Sequence, residues 1–220
     1  MLWVGLGNPG SSYAKNRHNV GFMVLENLAR DYGFSGWRQT KSAAQTDGLI
    51  GGGKIRLLKP LSFMNRSGLP VAQTANYYGL APEDIFVFHD DIDLGAGKIR
   101  VKQGGGHGGH NGLRDIDRHT GKDYWRVRIG VGRPDGRQDV DKWVLSDFTK
   151  QEQSDWLSPL IEAMIQEAPR LIEKDMAAFA SKVAWRAPAP TTQNDIEQGE
   201  TNGILLRNCW LAKCWQIYLV

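Results

Sequence analysis

The chain has 220 residues, of which 41% are hydrophobic and 23% charged, enough for one substantial core and a short appendage. Its net charge of +3 permits an acidic partner such as RNA without demanding one. It has no apolar run of about eighteen residues and no basic start leading into a long apolar stretch, so neither a membrane span nor a signal peptide is expected.

The two cysteines, Cys209 and Cys214, stand near the C-terminus. They offer no disulfide framework or C-x-x-C metal site to the main body, and a reducing, cytoplasmic setting fits.

In chain order, Leu2-Trp3-Val4 reads as a first strand and Gly5-Leu6-Gly7-Asn8-Pro9-Gly10 as the turn that leaves it. The turn matches G-x-G-x-x-G, yet Pro9 and the run Ser11 to Asn19 delay the helix that a dinucleotide site requires. Glu26 and Asp31 fall inside the predicted helix rather than at the end of a second strand, which also counts against that reading. Ser12-Tyr13-Ala14-Lys15 matches S-x-x-K, but its partner motifs S-D-N and K-T-G are absent, and so is any G-x-S-x-G elbow. If the chain is a hydrolase, water rather than serine is the expected nucleophile.

His18 or Asn19 precedes a helix with Phe22, Leu25, Leu28, Ala29 and Tyr32 on one face, stopped at Gly33. Thr46 to Ile50 and Ile55 to Leu58 flank Gly51-Gly52-Gly53 as a hairpin that Pro60 ends. With Ser67 as N-cap, a helix runs to about Tyr78 and holds Pro70 in its first turn. Ile85-Phe86-Val87-Phe88 is a continuous apolar run, the mark of a central strand covered on both faces. It delivers His89-Asp90-Asp91-Ile92-Asp93.

Ile99, Val101 and Gln103 alternate with Lys98, Arg100 and Lys102, and Trp125, Val127, Ile129 and Val131 with Arg126 and Arg128. Both read as strands with a basic face, either a solvated sheet surface or a phosphate track. The glycine-rich run Gly104 to Gly112 lies between them and leads into a short helix that Asn111 is placed to cap. Within it, His107 and His110 suggest a metal pair only weakly, since no third ligand accompanies them; a glycine nest favouring an anion is the alternative. Trp143-Val144-Leu145 reads as a short segment before a helix from about Gln151 onward, whose stretch Trp156 to Phe179 Pro169 kinks or divides.

This alternation predicts an α/β fold, one domain with a twisted, mixed and mostly parallel sheet flanked by helices on both faces. In such sheets the site lies beyond the carboxyl ends of the strands. Asn8, Asn65, Asp90 and the Gly104–Gly112 loop each follow a predicted strand. A carboxylate on an imidazole fixes the tautomer and stabilises the cation formed as the base takes a proton, so His18 and Asp90 make the sharpest candidate pair. Three carboxamides, Asn8, Asn65 and Asn111, are suited to orienting a water and an ester carbonyl. Residues 1–186 are read as the catalytic body, 187–203 as a polar linker and 204–220 as an extension of unknown role.

Together these residues resemble the bacterial peptidyl-tRNA hydrolase family. The resemblance rests on Gly5-Leu-Gly-Asn-Pro-Gly-x-x-Tyr13, Arg17-His18-Asn19-Val20-Gly21-Phe22, Phe63-Met64-Asn65-x-Ser67-Gly68, His89-Asp90-Asp91-Ile92-Asp93 and Gly104-Gly-Gly-His-Gly-Gly-His-Asn-Gly112. The motifs hold order and spacing over about residues 1–185.

The resemblance implies hydrolysis of the ester joining a peptide to the 3′-terminal ribose of tRNA, with His18 as general base for water and Asp90 holding it basic and oriented. It implies that Asn8 helps distinguish N-blocked from free aminoacyl-tRNA, and that Asn65 and Asn111 hold substrate and water. Tyr13, Phe63 and Met64 then shape the crevice, His110 joins the substrate-binding set, and Lys102 and Arg128 clamp tRNA phosphates. Peptidyl-tRNA is the implied partner, with no metal or cofactor, and a monomer is expected. Gly95 departs from the family, which often carries proline there, and the tail beyond Ala187 has no counterpart in the resemblance. The rivals are a non-catalytic RNA-binding protein on the same fold and a nucleotide-dependent oxidoreductase.

Overall fold

The order of the strands follows from which of them are apolar on both sides. A computed structural model of the chain describes residues 1–134, 136 and 139–191. The expected linker beyond 191 and the expected extension 204–220 lie outside the described residues. Strands β1 (Leu2–Gly5), β2 (Arg38–Gln39), β3 (Ala43–Ile50), β4 (Gly53–Pro60), β5 (Ile85–Asp91), β6 (Ile99–Gln103) and β7 (Trp125–Gly130) form one sheet in the order β2-β3-β4-β1-β5-β7-β6. The two strands buried along nearly their whole length, β1 and β5, sit side by side in its interior.

The inner strands β4, β1, β5 and β7 run parallel, whereas β2, β3 and β6 pair antiparallel at the margins. The mixed sheet with a parallel centre is therefore present. The antiparallel pairing of β3 with β4 follows from the tight glycine turn between them, and β6 lies antiparallel to β7 at the other margin.

Each face carries its own apolar layer. Trp3, Phe86, Phe88, Val127 and Ile129 pack on one side under α1 (Val20–Asp31) and the C-terminal helices. Leu2, Val4, Leu58, Ile85 and Val87 pack on the other under α2 (Gly68–Tyr77) and α3 (Asn111–Thr120). The period-2 alternation of the strands assigns each residue to its layer.

Helix α1 lies directly on the sheet because two glycines face each other there. A methyl on Gly5 would overlap the Gly21 carbonyl, and one on Gly21 would overlap the backbone of Phe88 and Leu6. In that closeness the Phe22 amide donates to the Leu6 carbonyl at 3.2 Å. The contact fixes how near the start of α1, and the turn before it, comes to the end of β5.

The C-terminal half divides at Pro169 as expected and is broken further in detail. After α4 (Val140–Val144), a short α5 (Lys150–Glu152) opens on a Thr149–Glu152 capping box. It passes through a π-helical turn, Gln153–Leu157, into α6 (Ser158–Glu167). Pro169 opens α7 (Pro169–Ile172), which it separates from α6 as its missing N–H requires, and α8 runs Met176–Arg186. No helix among the described residues is long and apolar enough to cross a membrane.

Two helix starts are capped by residues other than those expected. Ser67 does precede α2, but its hydroxyl donates to the Met64 carbonyl at 2.8 Å. The carboxylate of Asp115 on α3 takes the Gly68 amide at 2.7 Å instead. Asn111 is the first residue of α3, and the cap is His110, whose Nδ1 accepts from the Gly112 and Leu113 amides at 3.2 and 3.4 Å.

Candidate active site

Three loops meet beyond the carboxyl ends of β1, β5 and β7, where the two layers come together. Asp90, at the end of β5, is 2% exposed. A buried carboxylate needs donors, and two histidines supply them. His18 arrives from the turn that leads into α1, with Nδ1 at 2.9 and 3.0 Å from the two Asp90 oxygens. His110 arrives from the cap of α3, with Nε2 at 3.0 Å from Asp90 Oδ1. The two rings lie 4.8 Å apart. One histidine thus comes from each layer to a shared carboxylate at the seam.

The hydrogen bonds settle the tautomer of His110. Its Nδ1 accepts two amide protons, so its own proton is on Nε2 and is donated to Asp90. A ring in that state presents a donor, not a lone pair, toward Asp90. The grouping of His18, Asp90 and His110, whose ligand atoms lie within 4.8 Å of one another, is therefore wired as a hydrogen-bond cluster rather than a metal cage. His18 donates through Nδ1 and retains Nε2 as its basic nitrogen.

Charge follows the same wiring. Burial alone lowers the basicity of His18, but attraction to Asp90 and the hydrogen bond to it outweigh that and raise its pKa above 6.5. Burial pushes the Asp90 carboxyl up, yet His18 and His110 more than reverse this and hold it well below the usual carboxylate range. Both shifts act in the same sense, favouring a charged carboxylate on Asp90 and a more basic imidazole on His18.

The backbone around His18 is pinned from outside. The buried Arg17 guanidinium pairs with both Glu152 oxygens at 2.7 and 2.8 Å, donates to the Asp147 carbonyl at 2.6 Å and lies 3.9 Å from the Trp143 ring centre. Asn19 grips Asn8 like a strand partner, each side-chain atom bonding the Asn8 backbone at 2.9 Å. The sequence motif contains both residues, but their roles are legible only once residues 146–152 fold back onto the turn.

His18, Asp90, His110, Asn111, Lys102 and Arg128 line one cleft of about 280 Å³. Asn8, Tyr13, Phe63, Met64 and Asn65 stand apart from its walls. Asn8 accepts the Met64 amide through Oδ1 at 2.8 Å and borders a second hollow of about 510 Å³. Tyr13 meets Phe63 edge to face at 6.4 Å, Phe63 and Asn65 are exposed, and Met64 is buried against Gly112 at the start of α3. These five form a separate rim built from the β1 and β4 loops.

The basic strand faces divide likewise. β6 and β7 pair Arg100 with Arg128 and Lys102 with Arg126. Arg126 also lines the cleft, but it is buried and bonded to Asp117 at 2.9 Å and to the Gly104 carbonyl, so it anchors α3 and the glycine loop. Arg128 is partly compensated by Asp91 at 2.6 Å. Lys102 and Arg100 are exposed.

Comparison with known proteins puts the arrangement in context. A sequence profile described as peptidyl-tRNA hydrolase matches residues 2–192. The chain belongs to the peptidyl-tRNA hydrolase family. It is 48% identical over 189 residues to the peptidyl-tRNA hydrolase of Rhodospirillum centenum, covering 86% of this chain and 83% of that protein. It is 50% identical over 189 residues to that of Dinoroseobacter shibae, covering 86% and 80%. Among solved structures it matches the crystal structure of peptidyl-tRNA hydrolase from Acinetobacter baumannii with a TM-score of 0.79 and 40% identity, covering 86% of this chain and 96% of that one. The family match covers every strand of the sheet and each loop that builds the site.

Proposed function

We propose that the cleft hydrolyses the ester between a peptide and the 3′-terminal ribose of tRNA by water attack, with His18 Nε2 as general base. The observation that carries this reading is the buried contact of His18 Nδ1 with Asp90 at 2.9 Å. It leaves one imidazole nitrogen basic and free beside an open cleft. Asp90 orients the ring and stabilises the imidazolium formed as water is deprotonated. His110 donates to the Oδ1 that His18 also meets and borders the substrate. Asn111 and Asn65 orient water and ester, Asn8 contributes to selecting N-blocked substrates, and Tyr13, Phe63 and Met64 shape the rim around the terminal adenosine and peptide. The body up to about residue 186 acts as a monomer in the cytoplasm and needs no metal or cofactor, with the linker and extension appended.

The test is release of free tRNA from N-acetyl-aminoacyl-tRNA with a chelator present. The expected result is steady turnover of the blocked substrate and much slower turnover of unblocked aminoacyl-tRNA. Turnover that stops with the chelator would put a metal in the reaction and overturn the water–histidine scheme.

The phosphate clamp makes its own prediction. Lys102 is exposed at the cleft wall, so replacing it with alanine removes about one released counterion. The slope of log affinity for tRNA against log salt should flatten by about one unit. An unaltered slope would return Lys102 to the role of a solvated surface charge.

A further inference from the structure

His89 stands beside the catalytic pair, is 2% exposed, and has no part in the scheme above. Its position follows from where β1 leaves the sheet. The last rung between the two strands is the Leu6 amide donating to the Phe88 carbonyl at 3.0 Å. Carbonyls two residues apart on a strand face the same side, so the Asp90 carbonyl turns toward the edge that β1 has vacated. There the chain has already turned away at Gly7 to Gly10 to form the Asn8 loop. A buried carbonyl without a donor is costly. His89 supplies one from its own strand, with Nδ1 at 2.7 Å from the Asp90 carbonyl.

That bond puts the His89 proton on Nδ1. Nε2 is left as a buried lone pair with no partner among the described residues, which a protonated ring would not tolerate. Burial, and then His110, lower its pKa to about 3, so it stays neutral. The ring also meets His110 edge to face, with centres 5.1 Å apart. His89 therefore touches both the backbone that carries Asp90 and the second histidine on its carboxylate.

We infer that His89 is a positioning residue: its Nδ1–H replaces the rung that β1 no longer provides at Asp90, and its ring braces His110, so the carboxylate stays seated on His18. The charged and titratable groups facing it are Asp90 and Asp91 on its own strand, His110 on α3, and Arg128, its register partner on β7. The inference rests on the reading of His18 and Asp90 as the working pair. The experiment is chosen so that failure of one is distinguishable from failure of the other.

The first measurement is the ring ¹⁵N signals of the folded wild-type protein across pH 5–9, which needs no substrate. The expected result is a His89 ring in the Nδ1–H form that does not titrate, beside a His18 ring that does. A His89 that titrates in this range, or that carries its proton on Nε2, overturns the inference whatever the turnover of His18 variants.

The second measurement compares substitutions. An asparagine amide nitrogen can occupy the place of Nδ1, whereas a glutamine nitrogen matches Nε2. His89→Asn should keep kcat within about threefold of wild type, and His89→Gln and His89→Leu should lose about tenfold, the equivalent of one hydrogen bond. KM should be unchanged, and the His18 pKa should fall in the two weak variants as its carboxylate loosens. Equal kcat and an equal His18 pKa in all folded variants would overturn the inference. If His89→Leu does not fold, the contrast between Asn and Gln still decides.

Discussion

Replacing His18 with alanine is expected to lower turnover of N-acetyl-aminoacyl-tRNA by about 10²–10⁴-fold, the usual contribution of a positioned general base. The geometry makes this a clean test. Among the described residues the side-chain bonds of His18 go to Asp90 alone, so its removal takes away the proposed base and leaves the Arg17 clamp and the Asn19–Asn8 pairing in place. KM should change little, since the proposed phosphate contacts lie on β6 and β7. A steady-state assay with thermal unfolding as a control separates lost chemistry from lost fold. Turnover within a few-fold of wild type would remove His18 from its proposed role.

Asp90→Asn is expected to be comparably severe, at about 10²–10⁴-fold, for a reason specific to the two-histidine arrangement. The carboxylate receives N–H groups from both rings. Both rings meet Oδ1 and His18 also meets Oδ2 at 3.0 Å, so an amide that keeps its oxygen on Oδ1 sets its NH₂ group against the His18 Nδ1–H. His110 cannot yield, because its Nδ1 is committed to two amides of α3. His18 must instead move its proton to Nε2, which is the nitrogen the water needs.

The pH dependence carries a second signature of the same change. In the wild type, Asp90 overrides the effect of burial and raises the His18 pKa. Activity that requires neutral His18 is therefore lost as pH falls through a value above 6.5. With Asp90 neutralised, burial dominates and the pKa falls, so the acid limb of kcat/KM should move to lower pH while the plateau collapses. A limb that stays in place, or moves up, would show that Asp90 does not set the basicity of His18.

Much of this fold was legible because its signals are local. Alternation in β6 and β7, the apolar run of β5 and the glycine turn between β3 and β4 each declare themselves within a few residues. That Asp90 and the loop carrying His18 meet beyond strand ends followed from the parallel centre of the sheet, whereas the glycine loop leaves the antiparallel β6 at the opposite end and has to run back to bring His110 to Asp90. What could not be read depends on partners distant in sequence. Arg126 and Arg128 are equivalent in the strand pattern and both line the cleft, yet Arg126 is buried against Asp117 on α3 while Arg128 pairs with Asp91 and stays half-buried. Asn111 is the better cap by propensity, but His110 takes the position because Asp90 holds its other nitrogen. Ser67 loses its capping role to Asp115, 48 residues away in the numbering, because α2 and α3 touch where Gly68 has no side chain. His89 stood in the motif with no role of its own; its bond to the Asp90 carbonyl depends on β1 ending early.

The arrival of one histidine from each layer has a consequence for how the enzyme comes into being. Neither layer holds the cluster alone: the turn before α1 brings His18, the cap of α3 brings His110, and the strand between them brings the charge of Asp90. A molecule in which either layer has frayed leaves Asp90 with a missing donor and His18 without its poise. Local opening on one side of the sheet, which proteins sample well below the free energy of global unfolding, is then enough to silence the chemistry. The seam makes catalysis report on the docking of both halves, so a nascent or partly melted chain that has assembled only one of them is inert toward the ester.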